Sequence, residues 1–170
     1  LIKKHGKNIA AVIVTVTNNS GGGQPVSMEN MKAVSALCKK NKLLCILDCC
    51  RVAENAYFIK HREKAYANHS YRQIAQQMFA LADGAIMSAK KDALVNMGGF
   101  LAVADKKLAD ACMNLLIITE GFSTYGGLSG RDMEAIAIGL QKVFEHDYLK
   151  YRIISTQYLG EKIRSKGVQI

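Results

Sequence analysis

The stretch GAIMSAKKD, Gly84 to Asp92, runs apolar residues straight into two adjacent lysines. The run Gly84-Ala85-Ile86-Met87 reads as a buried strand that empties into a loop at Ser88-Ala89-Lys90-Lys91. Ammonium groups avoid the end of a buried strand unless something anionic waits there. In α/β proteins, ligands bind beyond the carboxyl ends of strands. A lysine so placed can act as an amine nucleophile toward a carbonyl. The plain alternative is a solvated Lys-Lys-Asp turn.

Two further strand ends point the same way. Leu43 to Leu47 is an unbroken apolar run, Asp48 follows it directly, and Arg51 comes three residues on. A strand of a parallel sheet, buried on both faces, reads like this. A carboxylate at its end either pairs with a cationic partner such as a protonated ring nitrogen or caps the next turn. Ala10 to Thr17 is another buried strand, and Asn18-Asn19-Ser20-Gly21-Gly22-Gly23-Gln24-Pro25 follows it. Glycines there let the backbone approach a ligand or adopt positive φ; alone, they would mark only a glycine-rich turn.

Helical patterns separate these strands. Ser27 caps a helix through about Lys40, with Met31, Val34, Leu37 and Cys38 at helical spacing. Residues 53–64 read as a short helical or irregular piece, and Ser70 caps a helix through Leu81. Gly99 to Ala104 reads as a strand returning antiparallel from the lysines, because its connection is short. Lys106 to about Leu115 is helical, residues 121–130 form a glycine-rich loop, and one long helix is predicted over residues 131–166. Alternating strands and helices imply an α/β fold, three-layer α/β/α with a mostly parallel sheet.

Asn19, Asp48, Arg51, Ser88, Lys90 and Lys91 thus fall at three strand ends. Around them stand the tracts NSGGGQPVSM (Asn19 to Met28), AENAYFIK (Ala53 to Lys60), MSAKKD (Met87 to Asp92), VNMGGFL (Val95 to Leu101) and TYGGLSG (Thr124 to Gly130). This ordered set resembles the tryptophanase and tyrosine phenol-lyase family, the β-eliminating lyases among the aminotransferase-like (fold type I) pyridoxal-phosphate enzymes. The resemblance covers nearly the whole chain, although family members are much longer. It implies that residues 1–170 are the central part of a pyridoxal 5'-phosphate-binding large domain, with an N-terminal part and a C-terminal domain absent. A start at Leu1 and an end at Ile170 agree with that expectation.

The resemblance also implies roles. Lys91 would form the Schiff base with the cofactor and return as an acid-base group. Asp48 would hold the proton on the pyridine nitrogen, with Asn19 and Arg51 near the ring hydroxyl. Ser88 would bond the phosphate and Lys90 would add charge beside it. The backbone carbonyl of Asn96 would help bind a monovalent cation such as potassium near a subunit interface. The implied reaction is β-elimination from an aromatic amino acid to pyruvate and ammonia in a cytoplasmic homotetramer. Asn18-Asn19-Ser20, Ser88-Ala89 and Glu120-Gly121-Phe122 with Thr124-Tyr125 resemble the tryptophan-cleaving branch, whereas Gly130-Arg131-Asp132-Met133-Glu134 is also familiar from the tyrosine-cleaving branch. A catalytically silent α/β scaffold is the alternative from another class.

Composition adds weaker bounds. The net charge of +9 could point to nucleic acid or an anionic membrane. Its lysines and arginines are dispersed, however, and no aromatic-interleaved basic repeat appears, so neither partner is expected. Cys38, Cys45, Cys49, Cys50 and Cys112 form no CxxC pair and no zinc-ligand spacing. Cys38, Cys45 and Cys112 read as buried free thiols, Cys49 and Cys50 beside Asp48 would react if exposed, and the set suggests a reducing compartment.

Overall fold

The computed structural model describes every residue except Ser123 and Tyr125, and of Lys7 only the backbone. Four strands form one sheet in the order β1-β2-β3-β4: β1 Ala11–Thr15, β2 Leu44–Asp48, β3 Gly84–Ser88 and β4 Gly99–Val103. The first three run parallel, and β4 returns antiparallel to β3, with Ser88 opposite Gly99. The sheet is therefore mixed and mostly parallel, as the three apolar runs and the short return lead one to expect.

The helices are α1 Ile2–His5, α2 Met28–Asn41, α3 Val52–Arg62, α4 Tyr71–Phe79, α5 Lys106–Thr119, α6 Gly130–Lys142 and α7 His146–Arg164. Local chemistry sets several boundaries. The Ser27 hydroxyl accepts the Asn30 N–H at 3.1 Å, and Ser70 with Gln73 forms a reciprocal capping box. Residues 53–64, ambiguous in sequence, resolve as α3.

β1, β2 and β3 advance in one direction across the sheet. Right-handed crossovers then carry α2, α3 and α4 onto the same face. Alternation sends Cys45, Leu47, Ala85 and Met87 to that face, where Met31, Val52, Ile74 and Met78 meet them with essentially no exposure. On the other face of the edge strands, Ile13 is 58% and Leu101 50% exposed.

The single helix predicted over residues 131–166 is instead two. The chain turns at Val143-Phe144-Glu145, where Glu145 adopts an extended backbone before α7. No proline or glycine marks the break, so the helical period runs through it in sequence. Burial explains the turn: Val143 and Leu149 flank it and are both fully enclosed. A straight helix could not place both side chains in the core.

Candidate active site

Parallel pairing sets Thr15 against Asp48 and Asp48 against Ile86, so the loops after β1, β2 and β3 leave the same edge of the sheet. Asp48 and Ser88 are the last residues of their strands. Asn19 lies in a short helical turn after β1, Arg51 at the start of α3, and Lys90 and Lys91 in the loop after β3. Asn96 lies further along that loop and is exposed.

The turn Cys49-Cys50-Arg51 stitches the three strand ends together. The Cys49 N–H donates to the Ile86 carbonyl at 2.9 Å, and the Asp92 N–H donates to the Cys50 carbonyl at 3.2 Å. The Ser88 N–H donates to Cys50 Sγ at 3.0 Å, and the Thr17 hydroxyl donates to the Arg51 carbonyl at 2.7 Å. Thr17 has a φ of 46°, a costly conformation for a β-branched residue. Its bond to Arg51 fixes that bend, which turns the chain out of β1 toward Asn19. At the far end of the glycine-rich loop, the fully buried Asn55 accepts the Val26 N–H at 2.8 Å and donates to the Val26 carbonyl at 2.9 Å. Both ends of the loop are thereby pinned to the start of α3.

Asp48 is half-buried. Its carboxylate accepts from the Thr15 hydroxyl at 3.4 Å and from the Cys50 N–H at 3.3 Å, contacts long enough to leave it acceptor capacity. Among the described residues, the Asn19 side chain, the Arg51 guanidinium, the Ser88 hydroxyl and the Lys90 and Lys91 ammonium groups make no hydrogen bond or ion pair. Unpaired cations and donors along one edge, with a carboxylate between them, suit an anionic ligand that also carries a basic group.

The thiols beside Asp48 are both buried. Burial pushes Cys49 up to about 12. Burial also raises Cys50, and Asp48 adds to that, while the Ser88 amide and the Lys91 charge pull the other way. Cys50 thus feels both Asp48 and Lys91. All five cysteines are unpaired; Cys112, expected from its helix to be buried, is instead partly exposed on α5, which leaves most of its side chains uncovered.

Sequence reasoning assigned no role to Asp92, which is the only charged side chain among the described residues with no exposure. Its carboxylate accepts the Ala53 N–H at 2.7 Å and an Arg152 N–H at 3.1 Å, and Arg152 also pairs with Glu54 at 2.8 Å. Burial pushes the Asp92 carboxyl up to about 6, against the pull of Ala53 and Arg152. Because Arg152 lies sixty residues downstream, no local spacing announces the pair. Asn55 likewise sits inside the tract AENAYFIK with no local signal of its bond to Val26, 29 positions upstream.

A cavity of about 860 Å³ opens between β4, α5 and the following loop, lined by Gly99, Phe100, Leu116, Phe122 and Leu128 among others. It neighbours the lysine loop without containing its charges. Tyr125, part of the TYGGLSG tract and of the resemblance to the tryptophan-cleaving branch, lies outside the described residues. Among the described residues, no cluster of three His, Cys, Asp or Glu is placed to hold a metal ion, and no helix is long and apolar enough to cross a membrane.

The sequence model of the beta-eliminating lyases matches residues 1–170. A tryptophanase of Salinibacter ruber is 55% identical over 170 residues, all of this chain and 36% of that protein. A tyrosine phenol-lyase of Fusobacterium nucleatum is 49% identical over 164 residues, 96% of this chain and 36% of that protein. The chain spans about a third of the length of the curated relatives it matches. A Listeria monocytogenes protein assigned as an L-allo-threonine aldolase superposes with a TM-score of 0.57 at 20% identity, over 83% of this chain and 34% of that one; this likeness is one of fold.

Proposed function

The chain belongs to the beta-eliminating lyase family, and on that footing we propose that it carries the central cofactor-binding part of an enzyme that cleaves an aromatic amino acid by pyridoxal-phosphate-dependent β-elimination. The favoured substrate is L-tryptophan, giving indole, pyruvate and ammonia; a tryptophanase at 55% identity against a tyrosine phenol-lyase at 49% supports that choice. The observation that carries the reading is the set of unpaired donors Arg51, Ser88, Lys90 and Lys91 around Asp48 at adjacent strand ends.

These residues fit the cofactor's functional groups. A phosphate calls for cations and a hydroxyl, which Lys90 and Ser88 offer. A basic ring nitrogen calls for a carboxylate with acceptor capacity to spare, which Asp48 offers. An aldehyde calls for an amine, which Lys91 offers. Pyridoxal 5'-phosphate, when bound, supplies that aldehyde and a ring that accepts electrons from the substrate's α-carbon. Lys91 would hold the cofactor through its amine and would take the proton from the substrate's α-carbon, and the departing aromatic group must receive a proton in exchange. Asp48 keeps the ring nitrogen protonated. Arg51 and Asn19 orient the ring through its hydroxyl. In the whole protein, the Asn96 backbone carbonyl contributes to a potassium site, and the enzyme works as a cytoplasmic homotetramer on a small-molecule substrate.

Cleavage of L-tyrosine to phenol is the second reading, supported by the tyrosine phenol-lyase at 49% identity. The test uses the full-length enzyme. Borohydride reduction in the presence of pyridoxal phosphate, followed by peptide mass spectrometry, should place the label on Lys91, and Lys91→Ala should abolish it. Indole from tryptophan at a higher kcat/KM than phenol from tyrosine is the expected product pattern. A label on Lys90 or elsewhere would overturn the assignment of Lys91, and the reverse product preference would favour the second reading.

A further inference from the structure

Beside Lys91 sits a buried carboxylate tied to three separate elements. Asp92 reaches the start of α3 through Ala53, α7 through Arg152, and the turn after Asp48 through its own N–H on the Cys50 carbonyl. A single peptide bond separates it from the proposed reactive lysine. Asp48 and Lys91 therefore belong to one short bonded circuit: Asp48, Cys49 and Cys50, the Cys50–Asp92 hydrogen bond, then Lys91.

A buried charge is an expensive way to hold a loop. An apolar side chain or a neutral amide could fill the same space without the desolvation cost. A carboxylate with both oxygens engaged by donors from different elements instead fixes the direction as well as the position of the segment that bears it. Arg152 adds reach. One guanidinium nitrogen holds Asp92 and the other holds Glu54, so α7 is locked to the lysine loop and to α3 together. Two groups acting on one bound ring need a fixed separation, and displacements near 1 Å can cost about a hundredfold in rate.

We infer that Asp92, held by Arg152, is the positioning residue that sets Lys91 relative to Asp48. This rests on the reading of Lys91 as the amine that holds the cofactor. Neither residue needs to touch the cofactor; both act through the lysine loop.

The experiment uses the full-length enzyme and follows two quantities: the rate at which pyridoxal phosphate becomes borohydride-fixed on Lys91, read by peptide mass spectrometry, and the split of steady-state kinetics into kcat and KM. Asp92→Asn keeps an acceptor for the Ala53 N–H but loses the pair with Arg152. It should slow fixation on Lys91 by about tenfold or more and lower kcat to a similar extent, with KM within about threefold of the parent. Arg152→Lys keeps the charge but cannot fork between Asp92 and Glu54, and should give a smaller change of the same kind. A folded Asp92→Asn protein that fixes cofactor on Lys91 at the parent rate with parent kcat overturns the inference. If Asp92→Asn does not fold, Arg152→Lys decides alone, and parental behaviour there overturns it. Lys91→Ala separates the two ideas: retention of the label would sink the lysine assignment itself, whereas its loss beside a parental Asp92→Asn would sink only the positioning role.

Discussion

Asp48 is a half-buried carboxylate whose two contacts are both long, and that looseness gives it chemical capacity. Asp48→Asn preserves its size and its acceptor for the Cys50 N–H but removes the charge that would hold a ring proton. In the full-length enzyme, cofactor should still become fixed on Lys91, while exchange of the substrate α-proton in heavy water falls by about 10²–10⁴-fold. Exchange at the parent rate would remove Asp48 from the chemistry. Asp92 answers to pH differently. Its carboxyl is raised by burial to about 6 from an ordinary value of 3.8, so between those values the folded state holds the proton that the unfolded state has released. Its contribution to stability is therefore greatest below about pH 4 and declines as pH rises to about 6, by on the order of 3 kcal/mol. Asp92→Asn should flatten that limb of a denaturation-against-pH curve, and an unchanged limb would show that other groups produce it. Asp48 could be singled out from sequence because an acid ending an apolar run is conspicuous. Asp92 could not, because a carboxylate after two lysines looks solvated until the fold brings Ala53 and Arg152 to it.

At the scale of elements, α6 approaches the lysine loop closely through a glycine. Gly139 packs its backbone on the Ala93 carbonyl, and an added Cβ would overlap that oxygen. Gly139→Ala should therefore push α6 off the loop and destabilise the chain by roughly 1–3 kcal/mol, despite the better helix propensity of alanine. Denaturant titration measures this, and a stabilised variant would show that α6 yields without strain. The strands and α2 to α4 were legible because their apolar runs, serine caps and helical spacings agree with one another. The division of residues 131–166 was not, since it follows from where Val143 and Leu149 must be buried rather than from any local breaker. The frame of the candidate site was half legible. Strand ends could be read from apolar runs, but the bonds of Thr17, Cys50 and Asn55 that hold them together join residues 29 to 38 positions apart.

Over the whole molecule, apolar surface is unevenly covered. Along α5, Leu115, Leu116 and Ile118 are 64%, 51% and 83% exposed, and Ile13 and Leu101 lie open on the edge strands. Patches of this kind mark surfaces that pack against something else. The 170-residue chain by itself should bind a hydrophobic fluorophore and self-associate as its concentration rises. It should also produce no measurable pyruvate from tryptophan. Sedimentation and a coupled pyruvate assay check both, and a monodisperse, active chain would contradict them. The strand order carries one more consequence. Each strand pairs with its immediate neighbour in the chain, so a polypeptide emerging from the ribosome always meets a partner already made. The turns bearing Asn19, Asp48 and Lys91 can be set side by side once β4 has been synthesised. Arg152 arrives about fifty residues later, so the nascent chain builds the frame of its site early and fastens it last.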